Sequence, residues 1–571
     1  MSSRACRFRL LSSFILLTST ILSPVTVVAG PAAVSTARPK LFLVLVIDQF
    51  RADYLTRFES RFLAPVGKSG EVGGFRYLMS RGAYYPYAEY EILQSMTGPG
   101  HATVLTGSYP YQAGIPTNYW HDTEKGKRVY CTEDSTVAVV GSEPATARGG
   151  TSPRNLIGST VGDELKNAGY PSRVVSLALK DRASILMGGH RADLAFWFDQ
   201  KAVQWISSRY YLPEGKLPEW MLKLNKALLA RKGSKVVWEA TGPGTGFSAP
   251  GGSTVVVGDW WDKVPGLGKS FPHETVFGNW ESFITPVGLE ITADAAKEAF
   301  EAFQMGRGKS TDLFAVSFSS HDYGAHVFGA NSREMEEMTV AEDRVISGFL
   351  NFVKKKLPGG LKDVVIVLTA DHGAPPNPEW LKSLGVEAGR ISEKAMVSAI
   401  DERLKKRFGE PSGGSWVSLS YDLNLYMNRK AVQDKKLDLA EVQLEAKRAI
   451  VGMKGIAQVF TEGEYLQRRL PPEMFERQIL KTYMPGRSGD VVVIPRPFYM
   501  VDDQDAATHQ TGYAYDRTVP LILAGPGVRT GVYATPAKVV DLAPTLTFMG
   551  GVVAPAASEG RVLSEILQQK H

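Results

Sequence analysis

The chain has little cysteine: Cys6 and Cys131 are the only two in 571 residues. Cys6 lies in the export signal predicted below, so one cysteine remains after its removal. A single cysteine forms no internal disulfide, and the exported protein must therefore be stabilised by its core or by metal ions. Cys131 has no catalytic sequence context, and we expect it to be a buried, unreactive thiol.

The sequence also lacks a hydrophobic run long enough to cross a membrane. The apolar stretch Leu10–Leu22 has about 13 residues, whereas a spanning helix needs about 20. Three arginines precede this stretch and small residues follow it, which is typical of a cleaved export signal. We assign residues 1–32 to a signal peptide and expect a periplasmic or secreted protein with no stable membrane insertion. A membrane anchor is the alternative interpretation.

The chain also has only a small excess of charge of one sign. The 65 basic and 59 acidic residues leave a formal net charge of +6, which is too weak a bias to favour nucleic acid as a partner. With 44% hydrophobic and 22% charged residues, the composition excludes disordered, collagen-like and coiled-coil chains. The length predicts about two to four modules, or one large α/β core with insertions.

What the sequence does contain is a series of short, continuous apolar runs, typical of strands buried on both faces of a parallel sheet. Helical patterns over Glu290–Met305 and Ser332–Lys356 lie between some of them. This alternation predicts an α/β fold with a mostly parallel central sheet and helices on both faces. The predicted strands are Leu41–Ile47, Val174–Leu179, Leu313–Phe318, Val364–Leu368 and Val519–Leu523.

Two regions interrupt the alternation, and we expect both to be cap elements inserted into one core that spans residues 39–571. Residues 196–285 are rich in Trp, Tyr, Gly and Pro and are predicted to be irregular. Residues 375–497 have a separate small α/β pattern. Its predicted elements are a strand at Leu419–Met427, a helix at Leu437–Met453 and a strand at Ala457–Phe460.

Polar residues follow four of the predicted strands. In open α/β sheets the ligand site lies beyond the carboxyl ends of the strands, so these residues should meet at one edge. They are Asp48 after the first strand, Lys180-Asp181-Arg182 after the second, His321-Asp322 and His326 after the third, and Asp371-His372 after the fourth.

The aspartates and histidines among these residues suggest metal ligands. Asp322 and His326 have i,i+4 spacing, which can direct both side chains at one ion, although a solvated loop pair fits the spacing equally well. His509 lies in another loop beside a predicted strand. A single Asp after a strand is usually a helix cap, but several Asp and His residues together favour zinc over calcium or magnesium.

A candidate nucleophile precedes Gly98-Pro99-Gly100. Pro99 predicts the first turn of a helix, and a hydroxyl on Thr97 would then lie at the positive end of the helix dipole, where anions are favoured. The alternative is that Thr97 is a plain N-cap. Two metal ions about 4 Å apart would activate the hydroxyl and stabilise the leaving oxygen.

The ordered motifs resemble the alkaline phosphatase superfamily. They are similar to bacterial threonine-nucleophile alkaline phosphatases of the PafA type, which are related to the nucleotide pyrophosphatase/phosphodiesterases. The resemblance extends from about Pro39 to the end of the chain. It is carried by IDQFRADYL, SMTGPGHATVLTGSYPYQAGIPTNYW, LALKDRASIL, SHDYGAHVFG, TADHG, a histidine before VPLIL, and DLAPTLTFMGG.

This resemblance implies an alkaline phosphatase that hydrolyses phosphate monoesters with two Zn²⁺ ions through a phosphothreonine on Thr97. Asn118, Lys180 and Arg182 would contact the phosphoryl group. Lys180 and Arg182 can share one face of an extended segment, although a solvated turn is the alternative. The implied metal ligands are Asp322, His326 and His509 for one ion, and Asp48, Asp371, His372 and Thr97 for the other.

Several residues depart from the family pattern or remain without a role. His321 stands where a small or hydroxyl residue is expected, and we predict that it either lies behind the ligands or is exposed. His101 is expected to pack inside its helix. Asp502, Asp503 and Asp505 are predicted to form a solvated loop before His509, with the alternative that one of these acids orients a ligand histidine.

The alternatives belong to other function classes. A type I phosphodiesterase or nucleotide pyrophosphatase would use the same two-zinc site. A sulfatase is excluded because its Cys/Ser-x-Pro-x-Arg motif is missing, and a non-catalytic binding protein would be expected to lack a ligand or Thr97. We expect a monomer that acts on small phosphorylated substrates.

Overall fold

The structure is a computed structural model that describes residues 38–123, 125–142, 149–245, 267, 270–471, 475–502 and 505–568. The predicted signal peptide, residues 1–32, lies outside the described residues. Within the described ranges, no helix is both long enough and apolar enough to cross a membrane.

Strands and helices alternate along most of the described chain. The strands are β1 (Leu41–Ile47), β2 (Gly82–Glu89), β3 (Tyr119–Asp122), β4 (Lys127–Tyr130), β5 (Val139–Val140), β6 (Val174–Ala178), β7 (Leu194–Asp199), β8 (Gln204–Ser208), β9 (Lys235–Trp238), β10 (His273–Val276), β11 (Asp312–Phe318), β12 (Val364–Thr369), β13 (Gly389–Arg390), β14 (Val417–Tyr421), β15 (Asn424–Met427), β16 (Ile456–Thr461), β17 (Val491–Pro495), β18 (Tyr499–Met500), β19 (Thr518–Ala524) and β20 (Gly531–Val532). The helices are α1 (Tyr54–Arg57), α2 (Phe75–Arg81), α3 (Thr97–Thr106), α4 (Pro110–Ala113), α5 (Val161–Asn167), α6 (Asp181–Gly188), α7 (Glu219–Arg231), α8 (Pro286–Ala302), α9 (Ser320–Phe328), α10 (Arg333–Lys356), α11 (Pro378–Ser383), α12 (Glu393–Phe408), α13 (Arg429–Asp434), α14 (Leu439–Ile450), α15 (Glu462–Leu466), α16 (Glu476–Thr482), α17 (Ala514–Arg517) and α18 (Leu542–Gly550).

A ten-stranded sheet forms the core, in the order β20-β2-β19-β12-β1-β11-β6-β7-β8-β5. Its middle strands, from β12 to β7, are parallel. Every residue of β1, β6, β11 and β12 is buried, as the continuous apolar runs predict for strands that are covered on both faces. Helices α6 and α8 both pack against β6 and β11. The predicted α/β class, with a mostly parallel sheet and helices on both faces, is confirmed.

One predicted parallel strand has the opposite direction. Val519–Leu523 lies in β19, which pairs antiparallel with both β12 and β2. A continuous apolar run indicates burial on both faces but carries no information about direction. The preceding loop lies at the carboxyl ends of the parallel strands, so the chain must run back through the sheet from that edge.

Residues 375–497 contain a second, four-stranded sheet in the order β14-β15-β17-β16, which we call the small sheet. Its three strand pairs are antiparallel, and the side chains of α12 and α14 complete its own hydrophobic core. The predicted helix and second strand correspond to α14 and β16. The single strand predicted over Leu419–Met427 is instead the β14–β15 hairpin, whose turn lacks the Asn-Gly or Asp-Gly pair that usually marks one.

Residues 196–285 are more regular than the sequence predicts. Strands β7 and β8 join the central sheet, α7 follows, and β9 and β10 pair as a two-stranded antiparallel sheet. The aromatic residues that suggested an irregular segment also favour strands. Residues 246–266 and 268–269 lie outside the described ranges, and the cap boundaries remain predictions.

Candidate active site

Four segments of the central sheet bring polar side chains to one edge. Asp48 follows β1 directly, Lys180 follows β6, Asp322 lies in the first turn of α9 after β11, and Asp371 follows β12. These strands are neighbours in the order β12-β1-β11-β6, so their carboxyl ends are adjacent. All four side chains are buried.

The candidate nucleophile Thr97 is the first residue of α3. Met96 is the N-cap, so the alternative in which Thr97 caps the helix does not hold. The helix start lies against the end of β12, because a Cβ atom added to Gly100 would lie 2.4 Å from the carbonyl oxygen of Asp371. Glycine at this position therefore permits the close approach of the hydroxyl-bearing turn to the aspartates.

Cationic and amide groups surround the Thr97 hydroxyl. Lys180 Nζ lies 3.4 Å and Arg182 Nη2 lies 3.2 Å from Thr97 Oγ1. The Gly98 amide donates to Asn118 Oδ1 at 2.7 Å, which fixes the Asn118 side chain beside the helix start. The structure thus brings together the four residues that the sequence placed around the phosphoryl group.

Lys180 and Arg182 do not lie in the extended segment that the sequence suggested. Lys180 is the N-cap of α6 and Arg182 is the second residue of that helix. Asp181 begins the helix, where an acidic side chain is favoured by the helix dipole. The two cations reach Thr97 from a helix N-terminus, and the i,i+2 argument for a shared face was therefore wrong about the backbone.

Lys180 joins two of the buried carboxylates. Its Nζ lies 2.7 Å from Asp48 Oδ2 and 2.5 Å from Asp322 Oδ2. Burial opposes the charge of the ammonium group, but Asp322 and Asp48 outweigh it and raise the pKa of Lys180. The lysine therefore stays protonated between the two acids.

The three aspartates are unequal in their ionisation. Burial, together with repulsion from Asp322 and Asp371, raises the pKa of Asp48 well above its usual range. For Asp322, burial is outweighed by Lys180 and His326, which hold its pKa well below the usual range. Asp371 also has a lowered pKa, because its histidine neighbours outweigh burial. Adjacent carboxylates cannot all ionise without additional positive charge, which a bound cation would supply.

Two histidines present an unprotonated nitrogen toward these acids. His372 and His509 each direct Nδ1 at a backbone carbonyl, at 3.0 and 2.7 Å, so that Nδ1 carries the proton and Nε2 is free. His372 Nε2 lies 3.3 Å from Asp371 Oδ2, and His509 Nε2 lies 3.4 Å from Asp322 Oδ1. Burial lowers the pKa of both rings, that of His372 to about 3, which keeps them in the neutral form that binds metals.

The third histidine, His326, lies between two acids. Its Nε2 is 3.3 Å from Asp322 Oδ1 and its Nδ1 is 2.9 Å from Asp505 Oδ2. Burial opposes protonation, but Asp322 and Asp505 raise the pKa of His326 well above its usual range. Among the three acids of the predicted solvated loop, Asp505 contacts a histidine, and that histidine is His326 rather than its chain neighbour His509. Asp503 lies outside the described residues.

The donor atoms fit metal ions. Two groups of three side chains have donor atoms within 4.8 Å of one another, namely Asp322, His372 and His509, and Asp48, His101 and Asp371. Within the described residues, several buried donor atoms at this point have no hydrogen-bond partner: Asp48 Oδ1, Asp322 Oδ1, Asp371 Oδ2 and His372 Nε2. Unpartnered buried polar atoms are costly, and cations between them would remove that cost.

These groups differ at three histidines from the ligand sets that the family resemblance implies, and the predicted ligand His326 falls in neither group. His372 falls with Asp322, yet its Nε2 is also 3.6 Å from Asp48 Oδ1, so it can serve either group. His101 falls in the second group because its Nδ1 is 3.1 Å from Asp371 Oδ2. That nitrogen also lies 2.9 Å from the Thr97 carbonyl, which only accepts a hydrogen bond, and it therefore carries a proton.

The remaining predicted residues are buried. His101 packs inside the protein as expected, with Nε2 2.8 Å from Ser317 Oγ. His321 is buried rather than exposed, and its Nδ1 is 2.9 Å from Glu342 Oε1. Cys131 is buried in a small hydrophobic cluster, as predicted.

Two supporting groups were missed in the sequence. The Ser95 carbonyl receives the His509 Nδ1 hydrogen bond. Asp516 accepts from the amides of Gln510 and Thr511 through Oδ2, and its carbonyl accepts from the Gly373 amide at 2.6 Å. Asp516 thereby joins the two histidine loops, and an acid just before the apolar run of β19 was the available signal.

The chain matches the family described as type I phosphodiesterase / nucleotide pyrophosphatase over residues 42–516, most of its length. The chain belongs to this family. It is a family within the alkaline phosphatase superfamily, which confirms the resemblance.

Individual relatives of this phosphodiesterase-family chain are similar over nearly their whole length. Alkaline phosphatase PafA of Elizabethkingia meningoseptica is 31% identical, over 93% of this chain and 95% of the relative. A calcium-transporting ATPase of Myroides odoratus is 30% identical, with the same coverage. Alkaline phosphatase PhoV of Synechococcus elongatus is 31% identical, over 93% of this chain and 94% of the relative.

Crystal structures of PafA share the fold. The wild-type enzyme superposes with a TM-score of 0.83 at 30% identity, covering 94% of this chain and all of PafA. A PafA variant with one threonine, one asparagine, one lysine and one arginine substituted has a TM-score of 0.82 at 29% identity, with equal coverage.

Proposed function

We propose that this chain is an exported, zinc-dependent alkaline phosphatase that hydrolyses phosphate monoesters through a phosphothreonine on Thr97. The observation that carries the proposal is the position of Thr97 Oγ1, which lies within 3.4 Å of both Lys180 and Arg182 at a helix start. The two groups of candidate metal ligands adjoin it. PafA and PhoV, both similar over more than nine-tenths of this chain, are alkaline phosphatases.

The PafA variant supports the roles of four residues. Its substituted threonine, asparagine, lysine and arginine occur in the same order, and at the same separations along the chain, as Thr97, Asn118, Lys180 and Arg182. We infer that Thr97 is the nucleophile. The other three would hold the phosphoryl oxygens by charge-assisted and amide hydrogen bonds.

The proposed ligand sets follow the family pattern. Their donor chemistry of three carboxylates and three imidazoles, with no thiolate, suits zinc. When bound, two zinc ions would lower the pKa of the nucleophilic hydroxyl and stabilise negative charge on the leaving oxygen. Asp322, His326 and His509 would hold one ion, and Asp48, Asp371, His372 and Thr97 the other.

The proposed reaction has two steps, and Thr97 Oγ1 takes part in both. Thr97 Oγ1 attacks phosphorus, the Oγ1–P bond forms as the ester P–O bond breaks, and the hydroxyl proton passes to solvent while the leaving oxygen gains one. Lys180, Arg182 and Asn118 stabilise the charge on the phosphoryl oxygens during this step. A water molecule then attacks phosphorus, Oγ1 leaves and regains a proton, and phosphate is released.

Metal analysis tests the cofactor part of this proposal. Purified protein should contain about two zinc ions per chain, lose activity on chelation and recover it when zinc is restored. Full activity in a preparation shown to be free of metal would contradict a metal-dependent reaction.

A second candidate, a phosphodiesterase, is favoured by the family match itself. Lys180 and Arg182 argue for the monoesterase, because a monoester carries an additional anionic oxygen that cations stabilise, whereas a diester carries a second organic group. Measured kcat/KM values for a phosphate monoester and a diester with the same leaving group decide between them. A preference for the diester would establish the phosphodiesterase.

Export and quaternary structure are parts of the same proposal. Residues 1–32 would direct the chain to the periplasm or the medium, where a monomer would act on small phosphorylated substrates. Cell fractionation with N-terminal sequencing of the mature chain tests the export. Light scattering of the purified protein tests the monomer, and a cytoplasmic chain with an intact N-terminus would contradict the signal assignment.

A further inference from the structure

The turn of the β14–β15 hairpin is conformationally unusual. We call its four residues, Tyr421–Asn424, the hairpin tip, because Tyr421 pairs with Asn424 and the two residues between them form the turn. Asp422 has φ of 44° and Leu423 has φ of 65°. Such two-residue turns require positive φ at both central positions and usually contain glycine. Asp tolerates this conformation, but a bulky Leu rarely adopts it.

Packing holds the turn in this conformation. The Leu423 side chain is buried in the hydrophobic core of the small sheet. Its carbonyl accepts a hydrogen bond from the Val493 amide of β17 at 2.9 Å. A backbone conformation of this kind persists only where its surroundings determine it, and it is frequent at functional sites.

The hairpin tip contacts the segment before the nucleophile. Gln94 lies three residues before Thr97 and is buried. Its Nε2 donates to the Asp422 carbonyl at 3.0 Å, and its Oε1 accepts from Asn424 Nδ2 at 3.1 Å. Both polar atoms of the Gln94 amide are therefore bonded to the hairpin tip.

The same turn contacts the loop of a candidate metal ligand. Gln510, which directly follows His509, donates from Nε2 to Asp422 Oδ1 at 2.7 Å. A third contact is aromatic: the Tyr421 ring lies 5.1 Å from that of Tyr119 in an edge-to-face arrangement. Tyr119 directly follows Asn118, so the hairpin tip contacts three segments that carry proposed site residues.

We propose that the hairpin tip is a positioning element of the active site, with Asp422 as the positioning residue that fixes the Thr97 turn and the His509 loop relative to each other. Asp422 contacts neither candidate metal ligands nor Thr97 directly, and it acts through Gln94 and Gln510. The inference rests on the proposed function, because it takes Thr97 as the nucleophile and His509 as a ligand.

The experiment uses the full zinc-loaded chain and an aryl phosphate monoester. Asp422→Gly removes the carboxylate and keeps a residue suited to positive φ, whereas Asp422→Asn retains an oxygen acceptor for Gln510. The Gly variant should lose about tenfold in kcat, with a smaller change in KM, because one buried hydrogen bond is lost. It should also release zinc faster to a competing chelator, and the Asn variant should recover most of both properties. The matched control is Asp434→Ala, an exposed acid of the same region that pairs with Lys430, and it should change neither.

A second variant tests the same hydrogen bond in case Asp422→Gly does not fold. Gln510→Ala removes the other partner of the same hydrogen bond and should give similar losses. The effects of two substitutions that remove the same hydrogen bond are not additive. The double variant Asp422→Gly/Gln510→Ala should therefore have the kcat and zinc release of the less active single variant. Unchanged kcat and zinc release in folded Asp422→Gly, or fully additive losses in the double variant, would overturn the positioning role. If the unsubstituted protein did not hydrolyse the monoester, the proposed function would be contradicted. The rate of zinc release from the variants would still test the positioning role of the hairpin tip.

Discussion

The two halves of the candidate active site are held in different ways. In the strand-end half, Asp48, Asp371, Asp322 and Lys180 follow neighbouring parallel strands, whose many backbone hydrogen bonds set the spacing of these side chains. In the loop half, the His509 loop and the turn before Thr97 are held by a few hydrogen bonds.

This difference predicts unequal responses to mutation. A strand-end aspartate can be removed without loss of the sheet, so its loss should act through charge and metal binding. A loop contact is one of few, and its loss should shift the loop by a small distance and lower the rate modestly. The strand-end half thus determines which chemistry is possible, and the loop half adjusts the geometry in which it occurs.

The largest effect is expected for Asp371→Ala in the strand-end half. Asp371 is fully buried and offers Oδ2 without a hydrogen-bond partner among the described residues. Its removal should lose bound metal and lower turnover by several orders of magnitude, because few ligands remain. The measurement is metal content beside kcat. Asp363→Ala, an exposed acid just before β12 at its opposite end, is the control and should keep both. Full metal content with near-normal turnover in Asp371→Ala would contradict the proposed difference between the two halves of the site.

Next in size is the double variant Lys180→Ala/Arg182→Ala. Charge-assisted hydrogen bonds are each worth roughly 1.5–3 kcal/mol, so losing both should slow monoester hydrolysis by about 10² to 10⁴-fold. Diester hydrolysis should fall much less, since a diester lacks the additional anionic oxygen. Parallel measurement of kcat/KM for both substrates checks this. Equal losses would show that the pair serves folding or general positioning.

A smaller effect is expected for Asp516→Ala in the loop half. The change removes three hydrogen bonds to Gln510 and Thr511, at 2.6 to 3.2 Å, but leaves every proposed ligand in place. Partners that support metal ligands are worth about 10- to 100-fold in metal affinity or activity. Zinc affinity and kcat should each decrease by about 10- to 100-fold. In excess zinc, the variant should still bind the same number of zinc ions per chain as the parent. A loss as large as that of Asp371→Ala would erase the distinction between the two halves.

The smallest effect is expected for Asp505→Asn. The Asp505 side chain is 29% exposed and contacts His326 Nδ1, so solvent can replace part of its role. Because the amide retains an oxygen acceptor, zinc affinity should fall by about tenfold or less, the low end for such partners. Competition with a chelator measures this affinity. A greater loss than for Asp516→Ala would place Asp505 with the strand-end group.

The sequence predicts the strand-end half well for a physical reason. Buried parallel strands are continuous apolar runs, and the residues after Ile47, Phe318 and Thr369 must lie at one edge of the sheet. The predicted strands, with the polar residues that follow four of them, therefore indicated both the fold class and the neighbourhood of the candidate ligands.

The loop half depends on contacts between distant segments that carry no local pattern. Asp422 bonds to Gln94 and Gln510 across more than 80 residues in each direction. Its turn lacks glycine, so the sequence predicts one strand where the structure has a hairpin. The helix that begins at Asp181 was likewise missed. There the spacing of Lys180 and Arg182 suggested an extended segment, whereas Arg182 lies in the first turn of the helix.

The most direct test of the central claim is acid-quenched trapping of the covalent intermediate. The zinc-loaded protein is mixed with a phosphate monoester, quenched at low pH and digested, and the modified residue is located by mass spectrometry. The account predicts a phosphate on Thr97, with none trapped in a folded, zinc-containing Thr97→Ala variant and partial activity in Thr97→Ser. Phosphate on Ser95 instead, or undiminished turnover by Thr97→Ala, would contradict it.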